Sequence, residues 1–309
     1  MVPVSSIIMA YDTIIIGAGP AGMSAAIYAI RYKLNHLVLS EAIGGTANEA
    51  HLVENYPGFY GISGMELMMK FKEHVDHLGG AITMERVTGI EEKDGLYVVT
   101  TPSESYETKT IVIAGGSKRR KLNAKGEDTF QGKGVSYCAT CDAFFFKEKT
   151  VAVVGGNDSA ASAAILLAQH AKKVYIIYRG EKVRAEPYWL DKIEENDKIE
   201  VINNTNVTEI KGTNVVESVA LDSGSDLPVD GVFIEIGTVP PTDMAKAIGV
   251  ETDERGYIKV DVSQHTNKEG VYAAGDITTS SNSCRQIVTA AAEGTVAVMS
   301  IFKHLNTKK

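Results

Sequence analysis

The chain has 309 residues, a formal net charge of −8, 44% hydrophobic and 23% charged residues. That length exceeds what one hydrophobic core usually fills, so two domains are expected, and the composition is that of an ordinary globular protein. The acidic balance argues against a surface built for nucleic acid, and no apolar stretch approaches the ~20 residues of a transmembrane helix.

The start, MVPVSSIIMAYD, lacks a basic n-region and runs into an apparent core strand, so a signal peptide is not expected. With only three cysteines there is no secreted disulfide framework, and a cytoplasmic setting follows. Asp12 to Ile16 reads as a short apolar strand, GAGPAG at Gly17 to Gly22 as a turn, and MSAAIYAIRY as a helix. In such a unit Gly17 allows the tight turn, Gly19 lets the backbone approach a pyrophosphate, and Gly22 lets helix and strand pack closely, with Pro20 and Ala21 opening the helix whose free N–H groups favour an anion. The next strand, HLVLSE, ends at Glu41, a carboxylate placed to accept from ribose hydroxyls.

A second such unit begins at Thr150, where TVAVV leads into Gly155, Gly156, Asn157, Asp158, Ser159 and Ala160, then a helix, then KVYIIYR ending at Arg179. The interval from Gly17 to Glu41 equals that from Gly155 to Arg179. One unit therefore has an acid where the other has a base. An acid suits an unphosphorylated ribose such as that of FAD or NAD, whereas Arg179 with Arg184 suits the 2′-phosphate of NADPH. Asn157 stands at the second-glycine position, so its side chain must point away for the backbone to reach a pyrophosphate.

Between the two units lies SYCATCDA, Ser136 to Ala143. Cys138 and Cys141 can close as a reducible disulfide or supply two of the four ligands of a zinc ion. No second Cys-x-x-Cys and no closely spaced histidine pair exists to complete a zinc site; His74 and His77 are i,i+3 on a probable helix, a spacing more common by coincidence, and no metal is expected. The run Lys118 to Lys121 reads as a solvated linker. Cys284 reads as a buried free thiol, Tyr188 and Trp189 as core aromatics.

These motifs, with VENYPGF at 53 to 59, IVIAGGSKRRKL at 111 to 122, GVSYCATCDA at 134 to 143, GTVPPT at 237 to 242, VYAAGD at 271 to 276 and RQIVTAAAEG at 285 to 294, resemble in this order the low-molecular-weight thioredoxin reductases. The resemblance runs almost end to end. It implies an α/β fold of two Rossmann-like three-layer domains, the second inserted into the first: an FAD domain at 1–119 and 246–309, and a nicotinamide domain at 120–245 carrying the cysteines. It implies FAD contacts from Gly45, Thr46, Asn55, Val87, Ala114, Gly115, Gly116, Gly275, Asp276, Arg285, Gln286 and Ile287, the last three opening a helix. Cys141 would take electrons from the flavin, Cys138 would attack the disulfide of a thioredoxin- or glutaredoxin-like partner, and Asp142 would move protons. The inserted domain would rotate between two positions, and a homodimer is implied. The family's His-Arg-Arg before a further arginine is here Tyr178-Arg179-Gly180, one arginine fewer; losing one charge-assisted phosphate contact of about 1.5–3 kcal/mol weakens NADPH by roughly ten- to a hundredfold. NADH, a deazaflavin or ferredoxin is the alternative donor, and a flavin-dependent dithiol oxidase using oxygen the alternative activity. Ala143 replaces a common glycine and is expected to restrict the turn.

Overall fold

A computed structural model describes residues 10–50, 52–281 and 284–307. The first nine residues, in which no signal peptide is expected, lie outside that set. The chain forms two compact units, one running through Lys118 and resuming at Val239, the other spanning Arg119–Thr238. The sequence reading puts the return crossing at 245/246; residues from 239 on belong with the first unit because Ala245 and Ile248 are buried in its core with Ile14, Ile16 and Ile258.

In the first unit β1 (Tyr11–Ala18), α1 (Pro20–Arg31) and β2 (His36–Ile43) make the leading β-α-β turn. They are followed by α2 (Gly64–His77) and by β3 (Gly89–Lys93), β4 (Leu96–Thr100) and β5 (Ser105–Ile113). β1 lies parallel between β2 and β5, whereas β3 and β4 form an antiparallel ribbon beyond β5. The run Ile14-Ile15-Ile16 is apolar on both faces because both faces are covered. Ile15, Val38 and Val112 face a core with α1 and α2, while Ile14, Ile16, Leu39, Ile111 and Ile113 face the opposite layer. α2 starts on a reciprocal capping box, Ser63 with Glu66, which satisfies two otherwise orphan N–H groups.

The second unit takes in β6 (Lys118–Arg119) at the crossing, β7 (Val135–Ser136), α3 (Ala139–Asp142), β8 (Thr150–Val154), α4 (Asp158–Ala168), β9 (Lys173–Ile177), α5 (Pro187–Glu194) and β10 (Ile199–Ile202). β11 (Val207–Gly212), β12 (Val216–Leu221), β13 (Asp226–Pro228) and β14 (Gly231–Ile234) follow. Its parallel sheet has the order β10-β9-β8-β14-β7, with a three-stranded antiparallel sheet β11-β12-β13 beside it. Val151, Val153, Val174, Ile176 and Phe233 pack under α4, and Ala152, Val154, Ile177, Val232 and Ile234 pack against the antiparallel layer. Parallel strands buried on both sides and covered by a helix on one face are the expected signature of a nucleotide-binding half.

After β15 (Thr238–Val239) at the return crossing come α6 (Asp243–Ala247), β16 (Val271–Ala273), which adds to β5 in parallel, and α7 (Ile287–Thr307). No helix among the described residues is long and apolar enough to cross a membrane. α7 packs against α1 through small residues. A Cβ on Gly294 would lie 2.0 Å from the carbonyl oxygen of Ala21, so only glycine lets the two backbones meet there. Gly294→Ala is accordingly expected to destabilise the protein by about 1–3 kcal/mol through overpacking, read as a lowered urea midpoint; an unchanged midpoint would contradict this contact.

Candidate active site

The turn from β1 into α1 shows which glycines are demanded by the protein and which leave room for something else. A Cβ on Gly17, where φ is +109°, would stand 2.3 Å from the carbonyl oxygen of Ala114, and one on Gly22 would stand 1.8 Å from that of Gly17. Packing alone requires those two glycines. At Gly19 the nearest atom to such a Cβ is the Gly44 carbonyl oxygen at 3.8 Å, and at Gly116 nothing lies within 4 Å. Gly19 also leaves α1 without a side-chain cap, and Pro20 takes the first helical position, so the first-turn N–H groups face outward with no intrahelical acceptor. Gly45 and Thr46 lie in the short helical turn opposite, with Gly45 approaching the Cα of Gly19. Glu41 is exposed near the end of β2, its carboxylate 3.7 Å from Nε of Arg86, and Val87 is buried next in sequence.

The segment after β16 completes this unit. Glu293 on α7, only 5% exposed, accepts from the backbone N–H of Gly275 at 2.7 Å and from the hydroxyl of Ser281 at 2.5 Å. From the other side Arg285 lays its guanidinium 3.8 Å from the Tyr257 ring centroid and donates through Nε to the backbone oxygen of Asp276 at 3.3 Å. Asn55 donates to the side-chain oxygen of Gln286 at 3.0 Å, which joins two motifs distant in sequence. Burial pushes the Asp276 carboxyl above its ordinary value, with Arg285 opposing and Glu293 adding to the rise. α7 begins at Ile287, so Arg285 and Gln286 precede the helix rather than opening it; Thr289 ties them to it by accepting from the Gln286 N–H at 3.1 Å. Cys284, three residues ahead of α7, is exposed, against the expectation of a buried thiol.

In the inserted unit the equivalent turn is built differently. A Cβ on Gly155 would meet the carbonyl oxygen of Glu235 at 2.2 Å, and one on Gly156 would meet the Tyr178 ring at 2.3 Å. Asn157 does not point clear of the helix. It is the N-cap of α4, and its side-chain oxygen accepts from the N–H of Ala160 at 3.2 Å, the preferred use of asparagine at that position. Asp158 accepts from the N–H of Glu186 at 2.7 Å, drawing in the loop that carries Arg184. Ser159 is exposed and Ala160 buried in the first turn of α4, while Arg179 and Arg184 are exposed. The Arg184 guanidinium lies 5.9 Å from the Tyr178 ring centroid. In the basic run Arg119 is not simply solvated: it donates to the buried carboxylate of Glu235 at 2.5 Å.

The redox candidates sit at the end of the edge strand β7. Cys138 and Cys141 are joined as a disulfide, with Cα atoms 5.3 Å apart. Cys138 is the N-cap of the one-turn helix α3, and its sulfur accepts from the N–H of Cys141 at 3.2 Å. The hydroxyl of Ser136 accepts from the Cys138 N–H at 3.0 Å and donates to the Cys138 carbonyl at 3.3 Å. Asp142 is half-buried and its N–H reaches the Cys138 carbonyl at 3.2 Å. Ala143 adopts ordinary helical angles, φ −53° and ψ −37°, so its Cβ does not restrict the turn. Beyond it Phe144 and Phe145 are 72% and 70% exposed. Trp189 packs on the core of this unit, and Tyr188 beside it is exposed.

Two Rossmann-like units, one interrupting the other and carrying a closed Cys-x-x-Cys, define a dinucleotide-dependent disulfide oxidoreductase. The chain belongs to the pyridine nucleotide-disulphide oxidoreductase family, whose description matches residues 11–294. It is 40% identical to a thioredoxin reductase of Listeria innocua over 306 residues, covering 97% of this chain and 95% of that one. Among solved structures it resembles the thioredoxin reductase of Lactococcus lactis, with TM-score 0.92, 36% identity, and 96% and 99% of the two chains covered. It also resembles that of T. acidophilum, with TM-score 0.90, 38% identity, and the same coverage of 96% and 99%.

Thioredoxin reductases use FAD and NADPH. The first unit fits FAD: it offers an open face at Gly19, uncapped amides, and at Asp276 a buried carboxyl group able to hydrogen-bond hydroxyl groups. The second fits the charge of a 2′-phosphate through Arg179 and Arg184, although Asn157 already satisfies one amide of its turn. Because burial raises the Asp276 carboxyl, ionising it opposes folding. That penalty is absent below the unfolded pKa, grows as pH rises toward the folded pKa, and is complete above it. Asp276→Asn should therefore raise the melting temperature of the FAD-free protein at pH 7 relative to pH 4 while weakening FAD binding; a variant no more stable at neutral pH would contradict this.

Proposed function

We propose that this chain is an FAD-dependent thioredoxin-disulfide reductase with NADPH as donor, acting on thioredoxin or a glutaredoxin-like protein. The observation that carries the reading is the sulfur of Cys138 at a helix N-cap, beside an accessible second cysteine and two exposed phenylalanines on the unit that also carries the second dinucleotide turn. A single amide hydrogen bond to sulfur favours the thiolate over the thiol, and the thiolate is the nucleophile. On that footing Cys138 is the attacking residue. Its thiolate displaces one sulfur of the partner's disulfide, giving a mixed disulfide and a partner thiolate. Cys141 then attacks the sulfur of Cys138, restoring Cys138–Cys141 and releasing the partner's second thiolate. Asp142, following Cys141, supplies and recovers the protons that the leaving and entering sulfurs exchange. Bound FAD supplies the electron pair, drawn from NADPH, that reopens the disulfide. Gly19, Glu41, Asn55, Asp276 and Gln286 would hold the flavin nucleotide in a turn that Gly17 and Gly22 shape by close packing; Arg179 and Arg184 would hold the nicotinamide one beside the turn that Gly155 and Gly156 shape.

A cytoplasmic setting suits a dithiol that must cycle. For the homodimer the supporting feature is α2, where Met65 and Met69 are one turn apart and both exposed. The two phenylalanines beyond the cysteines form an apolar collar for a small protein whose own disulfide must reach sulfur. Burying two such rings on docking is worth several kcal/mol at most. Phe144→Ala with Phe145→Ala should raise KM for thioredoxin about tenfold or more, by loss of about 1.4 kcal/mol or more, and leave kcat nearly unchanged. An unchanged KM would move the docking surface elsewhere.

The direct test is NADPH oxidation coupled to thioredoxin, with Cys138→Ser as the comparison. The wild-type chain should turn over thioredoxin, and the variant should lose that turnover while NADPH still bleaches its flavin. Retained turnover in Cys138→Ser would overturn the assignment.

A further inference from the structure

Glu127 is buried, 3% exposed, yet no part of the chemistry described above uses it. A carboxylate that deep is costly unless its oxygens are well supplied with donors. They are: one oxygen accepts from the N–H of Leu122 at 2.9 Å and from the hydroxyl of Tyr137, and the other accepts from the N–H of Asn123 at 2.5 Å. The two backbone donors belong to the segment just past the crossing, where Asn123 holds a left-handed φ of +60°. Tyr137 is the residue immediately before Cys138, and its ring packs against the buried core cluster that includes Phe130, Val135 and Val216. Burial, the hydrogen bond to Glu127 and that residue's charge all raise the phenol above its ordinary value, so the hydroxyl stays a donor throughout the working range.

We propose that Glu127 and Tyr137 are positioning residues for Cys138, forming a buried brace that holds the residue before the exchanging sulfur against Leu122–Asn123. The extended backbone of Cys138, φ −136° and ψ 94°, is what brings its sulfur over the Cys141 N–H. On one side of that backbone Ser136 grips both its N–H and its carbonyl; Tyr137, between them, fixes the peptide by its ring and its hydroxyl together. Freeing the hydroxyl lets the peptide rotate, and rotation takes the sulfur off the one amide that favours its thiolate. Apolar side chains would brace the strand without the cost of a buried charge. The donor set explains why a carboxylate stands here: only an acceptor can satisfy two backbone N–H groups and a phenol at once.

The inference rests on Cys138 as the exchanging sulfur, and its test separates the two claims. Tyr137→Phe removes one oxygen and leaves the ring in place. In the FAD-loaded enzyme, reduced anaerobically, iodoacetamide alkylation at Cys138 should slow about tenfold, followed by peptide mass mapping that resolves it from Cys141 and Cys284. In steady state kcat with thioredoxin should fall by a similar factor, with KM for thioredoxin and the rate of flavin reduction by NADPH unchanged. Glu127→Gln should act in the same direction, and the double variant should be no slower than Glu127→Gln alone, because the two side chains act as one unit. Wild-type alkylation rates in Tyr137→Phe, additive effects in the double variant, or a Tyr137→Phe protein that fails to fold would each overturn the brace. A wild-type chain that alkylates at Cys138 but never reduces thioredoxin would defeat the functional reading and leave the alkylation test of the brace standing.

Discussion

The hydrogen bond from the Cys141 N–H to the Cys138 sulfur is a small interaction, yet the proposed exchange chemistry depends on it. Thiol–disulfide exchange runs at a rate set by how much of the attacking sulfur is thiolate, and an N-cap is one of the few places where backbone alone favours that form. To put a cysteine there the chain must stop a strand, extend one residue and start a helix within a few positions. β7 is an edge strand of two residues paired to β14, Ser136 holds the extended residue, and α3 is a single turn that needs no long amphipathic face. The parallel sheet beneath, with Phe233 wedged edge-on against Phe146, gives that turn a fixed floor.

The two nucleotide turns show how the same supersecondary unit can be tuned by what fills it. In the first, Gly19 has no neighbour closer than ordinary contact and the helix has no side-chain cap, so an anion is the natural occupant of its amides. In the second, Gly156 is covered by Tyr178 and Asn157 caps its own helix, so the protein has already satisfied part of the demand internally. On the proposed reading, selection for a dinucleotide there falls to the exposed arginines instead of the backbone. Arginine is suited to that task because its rigid, always-charged fork matches a phosphate without titrating.

Much of this was legible in the sequence for a physical reason: glycine spacing in GAGPAG, apolar runs before it and alanine-rich helices after it are each required by close packing, and the structure places β1, α1, β8 and α4 on the stretches that carried those signals. The Cys-x-x-Cys stood out because cysteine is scarce in this chain. Other features had no such signal. Glu127 sits in the charged stretch KGEDTF, which reads as surface, and only the fold reveals that its oxygens turn inward to Leu122, Asn123 and Tyr137. Glu293 reads as a polar interruption of an apolar helix, whereas it anchors Gly275. Arg86 beside Glu41 and Arg119 beside Glu235 are pairings between distant positions that no local pattern encodes. The exposure of Cys284 likewise has no signal in its neighbouring residue types.

The most direct measurement of the central claim is an anaerobic titration of the FAD-loaded protein with NADPH, counting both flavin bleaching and newly alkylatable thiols. If electrons pass from flavin to the cysteine pair, full reduction consumes the equivalents of the flavin plus one disulfide, and Cys138 and Cys141 both become labelled. Complete bleaching with the pair still closed would contradict it.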